Sequence, residues 1–121
     1  RLTVENDDRE SLYNVKDLYN GVYKKIGIPI VFDYHHHKFN NGGITEKEAL
    51  ILSTSTWQNI TPVVHYSESM SIEQENSKIK PQAHSNFIYN HINTYKQKLD
   101  IMIEAKQKEL AVLNYLRRYG I

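Results

Sequence analysis

Half of the chain's six histidines stand in one run, VFDYHHH at positions 31–37, directly behind an aspartate. Three more residues of the same chemical kind are spread along the chain: Glu5 in ENDD, His65 in HYSE and Glu104 in MIEAK. Carboxylates and imidazoles without sulfur suit divalent ions such as Mn²⁺ or Zn²⁺. A carboxylate can bridge two ions, and a neutral imidazole nitrogen holds one firmly. Two such ions about 3.5–4 Å apart activate a water and stabilise both the attacking and the leaving oxygen of a phosphodiester. A single ion on the same ligands serves other reactions, sugar isomerisation among them.

These residues need elements that bring them together, and the pattern supplies four. Residues 1–5, RLTVE, read as a short strand. In SLYNVKDLYNGVYKKIG, residues Leu12, Val15, Leu18, Val22 and Ile26 fall at helical spacing, with Ser11 as the N-cap and Gly27 at the end. The apolar run IPIVFDY, 28–34, reads as a strand buried on both faces. KFNNGG is a loop. Thr45 and Glu48 then form a capping box that opens the helix EKEALILSTSTW. TPVVHYSE, 61–68, is a third strand, 69–83 a long polar loop, and HSNFIYNHINTYKQK a short helix. LDIMIEA, 99–105, is a fourth strand. KQKELAVLNYLRRYG is a last amphipathic helix with Leu110, Leu113 and Leu116 on one side.

Strands alternating with helices predict an α/β fold with a parallel sheet. Glu5, Asp33, His65 and Glu104 each fall at the C-terminal end of a strand, where an α/β barrel builds its sites. For the histidine run, strand alternation from Asp33 would put His35 and His37 on its face, whereas a strand that ends at Asp33 and turns favours His36. Periodicity leaves both open.

Composition narrows the classes. A net charge of +1 lacks the strong basic excess of a dedicated non-specific DNA binder. No apolar run approaches the roughly 18 residues of a membrane span, and RLTVENDD has no cleavable apolar core. The absence of cysteine excludes disulfides and thiolate metal sites, which fits an intracellular protein, nuclear or cytoplasmic.

ENDD at 5–8, FDYHHH at 32–37, HYSE at 65–68, AHSNFI at 83–88 and DIMIEAKQKELAVL at 100–113 together resemble the UV damage endonuclease family, in order and roughly at its spacing. The resemblance spans nearly all 121 residues. It implies a (β/α) barrel related to the AP-endonuclease group, with divalent metals at its mouth. These would be Mn²⁺ above all, with Zn²⁺ or Mg²⁺ as alternatives, and up to three in the complete barrel. It implies nicking of damaged double-stranded DNA immediately 5′ of UV photoproducts, leaving a 3′-hydroxyl. By the same resemblance Glu5 bridges two metals, and Asp33 and His36 are ligands from D-x-x-H. His65 and Glu104 complete a second ion, and His84 holds a third with His36. Glu5 and Glu104 are the catalytic acids, while His35 and His37 lie in the outer shell or face DNA. One position departs: two residues before the HYSE histidine, some members carry a metal-site lysine, and here that residue is Val63.

The resemblance also implies eight strands, of which this chain has signals for four, matching the C-terminal half. Residues 1–121 are thus expected to be half of a barrel, incomplete and inert alone. Its unpaired edges would be covered by an N-terminal half or by a second copy in a homodimer. The competing functional class is a sugar isomerase-like metal barrel acting on a small molecule. Plainer roles stand beside each residue: helix capping for Glu5, Asp7 and Asp8, a core position for His65, and a salt bridge to Lys106 for Glu104. His91 reads as a surface residue of its helix, and Trp57 and Phe87 as core aromatics rather than DNA-stacking platforms.

Overall fold

In a computed structural model that describes residues 2–120, four strands form one parallel sheet in sequential order: β1 (Val4–Glu5), β2 (Ile30–Asp33), β3 (Val63–Tyr66) and β4 (Asp100–Ile103). Phe32 pairs with Val64 and Asp33 with His65, and His65 in turn pairs with Met102. Helices cross over from β1 to β2 and from β2 to β3, while an irregular segment joins β3 to β4, and the α/β expectation holds.

Side chains alternate across the sheet. One face carries Phe32, Val64 and Tyr66, packed with Tyr34, Val15, Ala49, Leu50, Ile88 and Ile92 into the core, with Ile101 and Ile103 against it. The other face carries Val31, Asp33, Val63, His65 and Met102. Ile30 to Asp33 are all buried, as expected of an interior parallel strand. Trp57 closes the far end of β2, where its indole N–H donates to the Ile30 carbonyl at 2.7 Å. It is therefore a core residue.

The first helix starts later than the pattern suggests. Asn14, not Ser11, is the N-cap of α1 (Val15–Leu18), and forms a capping box with Asp17 at 2.9 and 3.2 Å. Residues 9–12 are instead a turn gripped by Asn40, whose amide donates to the carbonyls of Asp7, Arg9 and Leu12. Leu12 is consequently exposed. The helix widens into a π turn at Tyr19–Tyr23 and ends as α2 (Lys24–Ile26) at Gly27, whose φ of 70° suits glycine. Next come α3 (Tyr34–Phe39) and α4 (Glu46–Thr54), which Thr45 and Glu48 cap as expected.

The helix expected over HSNFIYNHINTYKQK does not form. Ile88 and Ile92 are buried, and their i,i+4 spacing imitates a helix. The segment's backbone is committed elsewhere. The Glu68 carboxylate accepts the amides of Tyr89 and Asn90 at 2.8 and 3.1 Å, and the Tyr115 hydroxyl accepts that of Ile92 at 3.0 Å. Tyr95 and Lys96 take left-handed φ values of 50° and 64°, which end any helical run.

In α5 (Glu109–Tyr119) the three leucines expected to pack are not the inward residues. Ala111 is buried and Tyr115 packs on the core, whereas Leu110, Leu113 and Leu116 stay 53%, 56% and 36% exposed. Met102 is also open, at 54%. Substitution should separate the two apolar sets in urea unfolding of the 121-residue chain. Leu50→Ala should cost about 2–5 kcal/mol by leaving a core cavity. Leu113→Ser should stay within about 0.5 kcal/mol, as for an exposed position.

Candidate metal centre

Asp33 is the best-fixed residue of the site. It ends β2 and caps α3, its Oδ1 accepting the His36 amide at 2.9 Å. β1 stops pairing at Glu5, but the next residue extends the contact with its side chain. The Asn6 carboxamide accepts from the Asp33 amide at 2.8 Å and donates to the Asp33 carbonyl at 3.0 Å. Asn6 is buried, and its own carbonyl lies 2.7 Å from His36 Nδ1. That contact places the proton on Nδ1 and leaves Nε2 as the free lone pair. Asn6 is a positioning residue that sequence reasoning missed. Its only signal was its place inside ENDD.

Around Asp33 the strand ends converge as expected. Glu5, Asp33, His65 and Glu104 each present a ligand atom, all within 4.8 Å of one another. His65 Nδ1 is 2.8 Å from Glu5 Oε2 and 3.7 Å from Glu104 Oε1, and His36 Nδ1 is 3.5 Å from Asp33 Oδ2. The strand turns into a helix after Asp33, so of the three histidines it is His36 that meets the aspartate.

The other histidines fall elsewhere. His35 and His37 are buried, which excludes the expected DNA-facing role for them in this structure. The helix turn points them into the protein: His35 packs on Phe39 and reaches the Gln82 carbonyl at 3.0 Å, and His37 packs on Phe32. His84 stands outside the four-residue group, its ring edge-on to His35 with 5.6 Å between centroids. His91 is exposed as expected, but in an irregular segment. Glu68, in HYSE, is a buried anchor that also accepts the Tyr66 hydroxyl at 2.7 Å.

Electrostatics mark the centre. Burial pushes the Asp33 carboxyl up to about 7, and nearby Glu5 adds to the rise against the opposing pull of His36. Burial also raises Glu5, but its hydrogen bond from His65, the neighbouring Asp33 and the charge of His65 outweigh that and hold it below its usual value. Burial disfavours the His36 cation, yet the Asp33 carboxylate and the Asn6 carbonyl raise it overall. His65 is raised chiefly by Glu5. Burial lowers both His35 and His37.

Asp33 Oδ2 is buried without a hydrogen-bond partner. Leaving such an oxygen unpaired is costly. The two other carboxylates of the group, Glu5 and Glu104, compound the cost, and a divalent cation would relieve both. The donor set of oxygens and imidazole nitrogen fits such an ion.

A parallel sheet with carboxylates and imidazole gathered at the C-terminal strand ends defines a partial (β/α) barrel with a site at its mouth. The family model for UV-endonuclease UvdE matches residues 1–120, and the chain belongs to that family. It is 36% identical to the UV-damage endonuclease of Schizosaccharomyces pombe over 128 residues, covering 100% of this chain and 20% of that protein. It is 36% identical to the UV DNA damage endonuclease of Bacillus cereus strain Q1 over 126 residues, covering 96% and 37%. The crystal structure of SacUVDE superposes with a TM-score of 0.75 at 31% identity, over 98% of this chain and 39% of that one. The chain thus spans well under half the length of these relatives.

The pH dependence of stability follows from the titrations. Near pH 6.5 the folded chain without metal still holds a proton on Asp33 that the unfolded chain has released, and its raised His36 and His65 keep protons that the unfolded chain is releasing, so stability should fall as pH rises from about 6.5 through 7. His35 and His37 act in the opposite sense below about pH 6.5, where only the unfolded chain takes up protons on them. Thermal melting in EDTA should therefore show Tm declining as pH rises from about 6.5 through 7, and Mn²⁺ should flatten the decline. Asp33→Asn should raise the EDTA Tm at pH 8 and abolish the response to Mn²⁺.

Proposed function

We propose that the protein is a metal-dependent DNA repair endonuclease that nicks double-stranded DNA 5′ of UV photoproducts, leaving a 3′-hydroxyl. The observation that carries this reading is the convergence of Glu5, Asp33, His65 and Glu104 at four adjacent strand ends in a chain of the UvdE family. The names of the relatives, UV-damage endonucleases, support the substrate.

Glu5, Asp33, His65 and Glu104 would hold divalent metal, with His36 adding Nε2 from the helix side. Mn²⁺ suits these donors, and Zn²⁺ or Mg²⁺ could replace it. When bound, the metal supplies a nucleophilic water at neutral pH and neutralises charge on the scissile phosphate. Asn6 and the α3 cap hold the Asp33 carboxylate in place before any ion arrives, which lowers the ordering cost of binding. Glu5 and Glu104 keep side chains 35% exposed and so border the space where substrate would approach. They are the acids assigned to catalysis. His84, set beside His35, remains the proposed ligand of a further ion.

Residues 1–121 are read as the C-terminal half of the barrel. β1 and β4 each have one unpaired edge in the sheet, and α5 exposes three leucines. Exposed apolar surface of this kind is normally covered. The rest of the barrel, or a second copy of this half, would cover it, and the 121 residues alone would be inert. No helix among the described residues is long and apolar enough to cross a membrane, and a DNA substrate implies a nuclear or cytoplasmic place.

Nicking of UV-irradiated supercoiled plasmid with Mn²⁺ tests the reading. The whole protein encoded by the gene should nick, while Glu5→Gln should slow it on the order of 10²-fold or more, the scale for losing one charge-stabilising group. Nicking by Glu5→Gln at the unsubstituted rate would sink the assignment.

A further inference from the structure

We propose that Asn41 and Gly42 form a self-modification site, at which asparagine converts to aspartate and isoaspartate through a cyclic imide. The isoaspartyl form loosens the clamp that holds the turn behind Glu5 and Asn6. This goes beyond the endonuclease reading and does not depend on it.

The chain carries two Asn-Gly pairs, Asn20–Gly21 and Asn41–Gly42, and the fold treats them oppositely. Asparagine is a chemically labile residue, and a following glycine puts no Cβ in the way of attack on its side chain. Asn20 and Gly21 lie within the helical turn Tyr19–Tyr23. Helical backbone aims each N–H along the axis at a preceding carbonyl, away from the side chain of the residue before it. Asn41 and Gly42 lie in the exposed turn between α3 and α4. Asn41 Oδ1 accepts the Gly43 amide at 2.8 Å, which draws electron density from Cγ and folds the carboxamide back over its own main chain. Among the described residues neither the Gly42 N–H nor Asn41 Nδ2 donates a hydrogen bond, so nucleophile and leaving group both stand free.

Hydroxide removes the Gly42 amide proton, and that nitrogen bonds to Asn41 Cγ. The Cγ–Nδ2 bond breaks, and Nδ2 leaves as ammonia after taking a proton from water. Water then opens the imide at one of its two carbonyls. One opening gives aspartate. The other gives isoaspartate, in which the main chain runs through the former side-chain carbon. Each conversion consumes one water and releases one ammonia.

The neighbours of this turn are tightly fixed. Asn40 is buried, and its carboxamide holds the carbonyls of Asp7, Arg9 and Leu12. Gly42 approaches Asn14, the cap of α1, so closely that a Cβ there would meet Asn14 Nδ2 at 2.7 Å. The Asn41 carbonyl accepts the Ile44 amide just ahead of Thr45, the cap of α4. An extra main-chain carbon and a new charge between Asn40 and Gly42 cannot keep all three fits. The turn gripped by Asn40 is the most exposed of them, and its own bonds are few. The Asp7 amide donates to the Tyr13 carbonyl and the Leu12 amide to that of Arg9, at 2.9 Å each. It therefore loosens first.

Peptide mass mapping of the whole encoded protein, held folded at pH 8 and at pH 6, reads the site without a nuclease assay. The Asn41 peptide should gain the acid and isoaspartyl forms, several-fold faster at pH 8 because hydroxide starts the reaction. Asn76 sits in a like turn, its Oδ1 accepting the Lys78 amide at 3.0 Å, but the side chain of Ser77 should slow it several-fold. Asn20 should stay unmodified until urea unfolds the chain, and should then convert as fast as Asn41. Hydrogen exchange at Asp7 and Leu12 should quicken several-fold in the isoaspartyl fraction, as for a locally opened turn. It should not change with time in Asn41→Gln, whose longer side chain closes a ring far more slowly. Conversion of Asn41 no faster than that of Asn20 in the folded protein would overturn the site. Conversion that leaves exchange at Asp7 and Leu12 unchanged would overturn the loosening.

Discussion

The site depends on one buried carboxylate being held rigidly while one of its oxygens is left unpartnered. Asp33 is 1% exposed, and its amide, carbonyl and Oδ1 are all engaged by Asn6 and the start of α3. Only Oδ2 lacks a partner. A charge placed there is disfavoured until a cation arrives, and the carboxyl titrates near 7 in consequence. The protein thereby carries a local instability at the strand end, which the surrounding core of Phe32, Tyr34, Val64 and Leu50 is large enough to tolerate.

The parallel register distributes the other groups around that point. His65 lies opposite Asp33, and Met102 lies opposite His65, so Glu104, two residues further, shares their face. Glu5 reaches the same face from a two-residue strand that Asn6 extends by side-chain hydrogen bonds. A slip of one residue in any pairing would turn its acid or imidazole into the apolar core. Register and site are therefore specified together.

Two acids outside the metal-ligand group, buried Glu68 and partly exposed Glu73, shape the mouth. Glu68 and Glu73 gather the segment that follows the long polar loop: Glu68 through the amides of Tyr89 and Asn90, Glu73 through the amide and side chain of Asn86 and the Tyr89 hydroxyl. Held this way, residues 84–92 bury Ile88 and Ile92 without becoming a helix. The same bracing sets His84 against His35, whose Nε2 meets the Gln82 carbonyl.

Much of this was legible in the sequence because it depends on local chemistry. The doubly apolar run before Asp33, the Thr45–Glu48 capping box, Gly27 after its helix and the acids and imidazole at four strand ends all follow from residue type and period. What depends on distant partners was not. Helical spacing in 84–98 could not reveal that a carboxylate at 68 would take its amides. The leucines of α5 looked like a core stripe, yet Ala111 and Tyr115 face inward. Nor could period choose among His35, His36 and His37. The choice was made by the turn at Asp33, which Asn6 and the α3 cap impose and which sends His36 to the Asp33 carboxylate and its neighbours into the interior. Sequence by itself determined the α/β alternation and the kind of chemistry at the strand ends. The tertiary structure decided which side chains meet, because burial and hydrogen bonding between residues far apart in the chain override local preference.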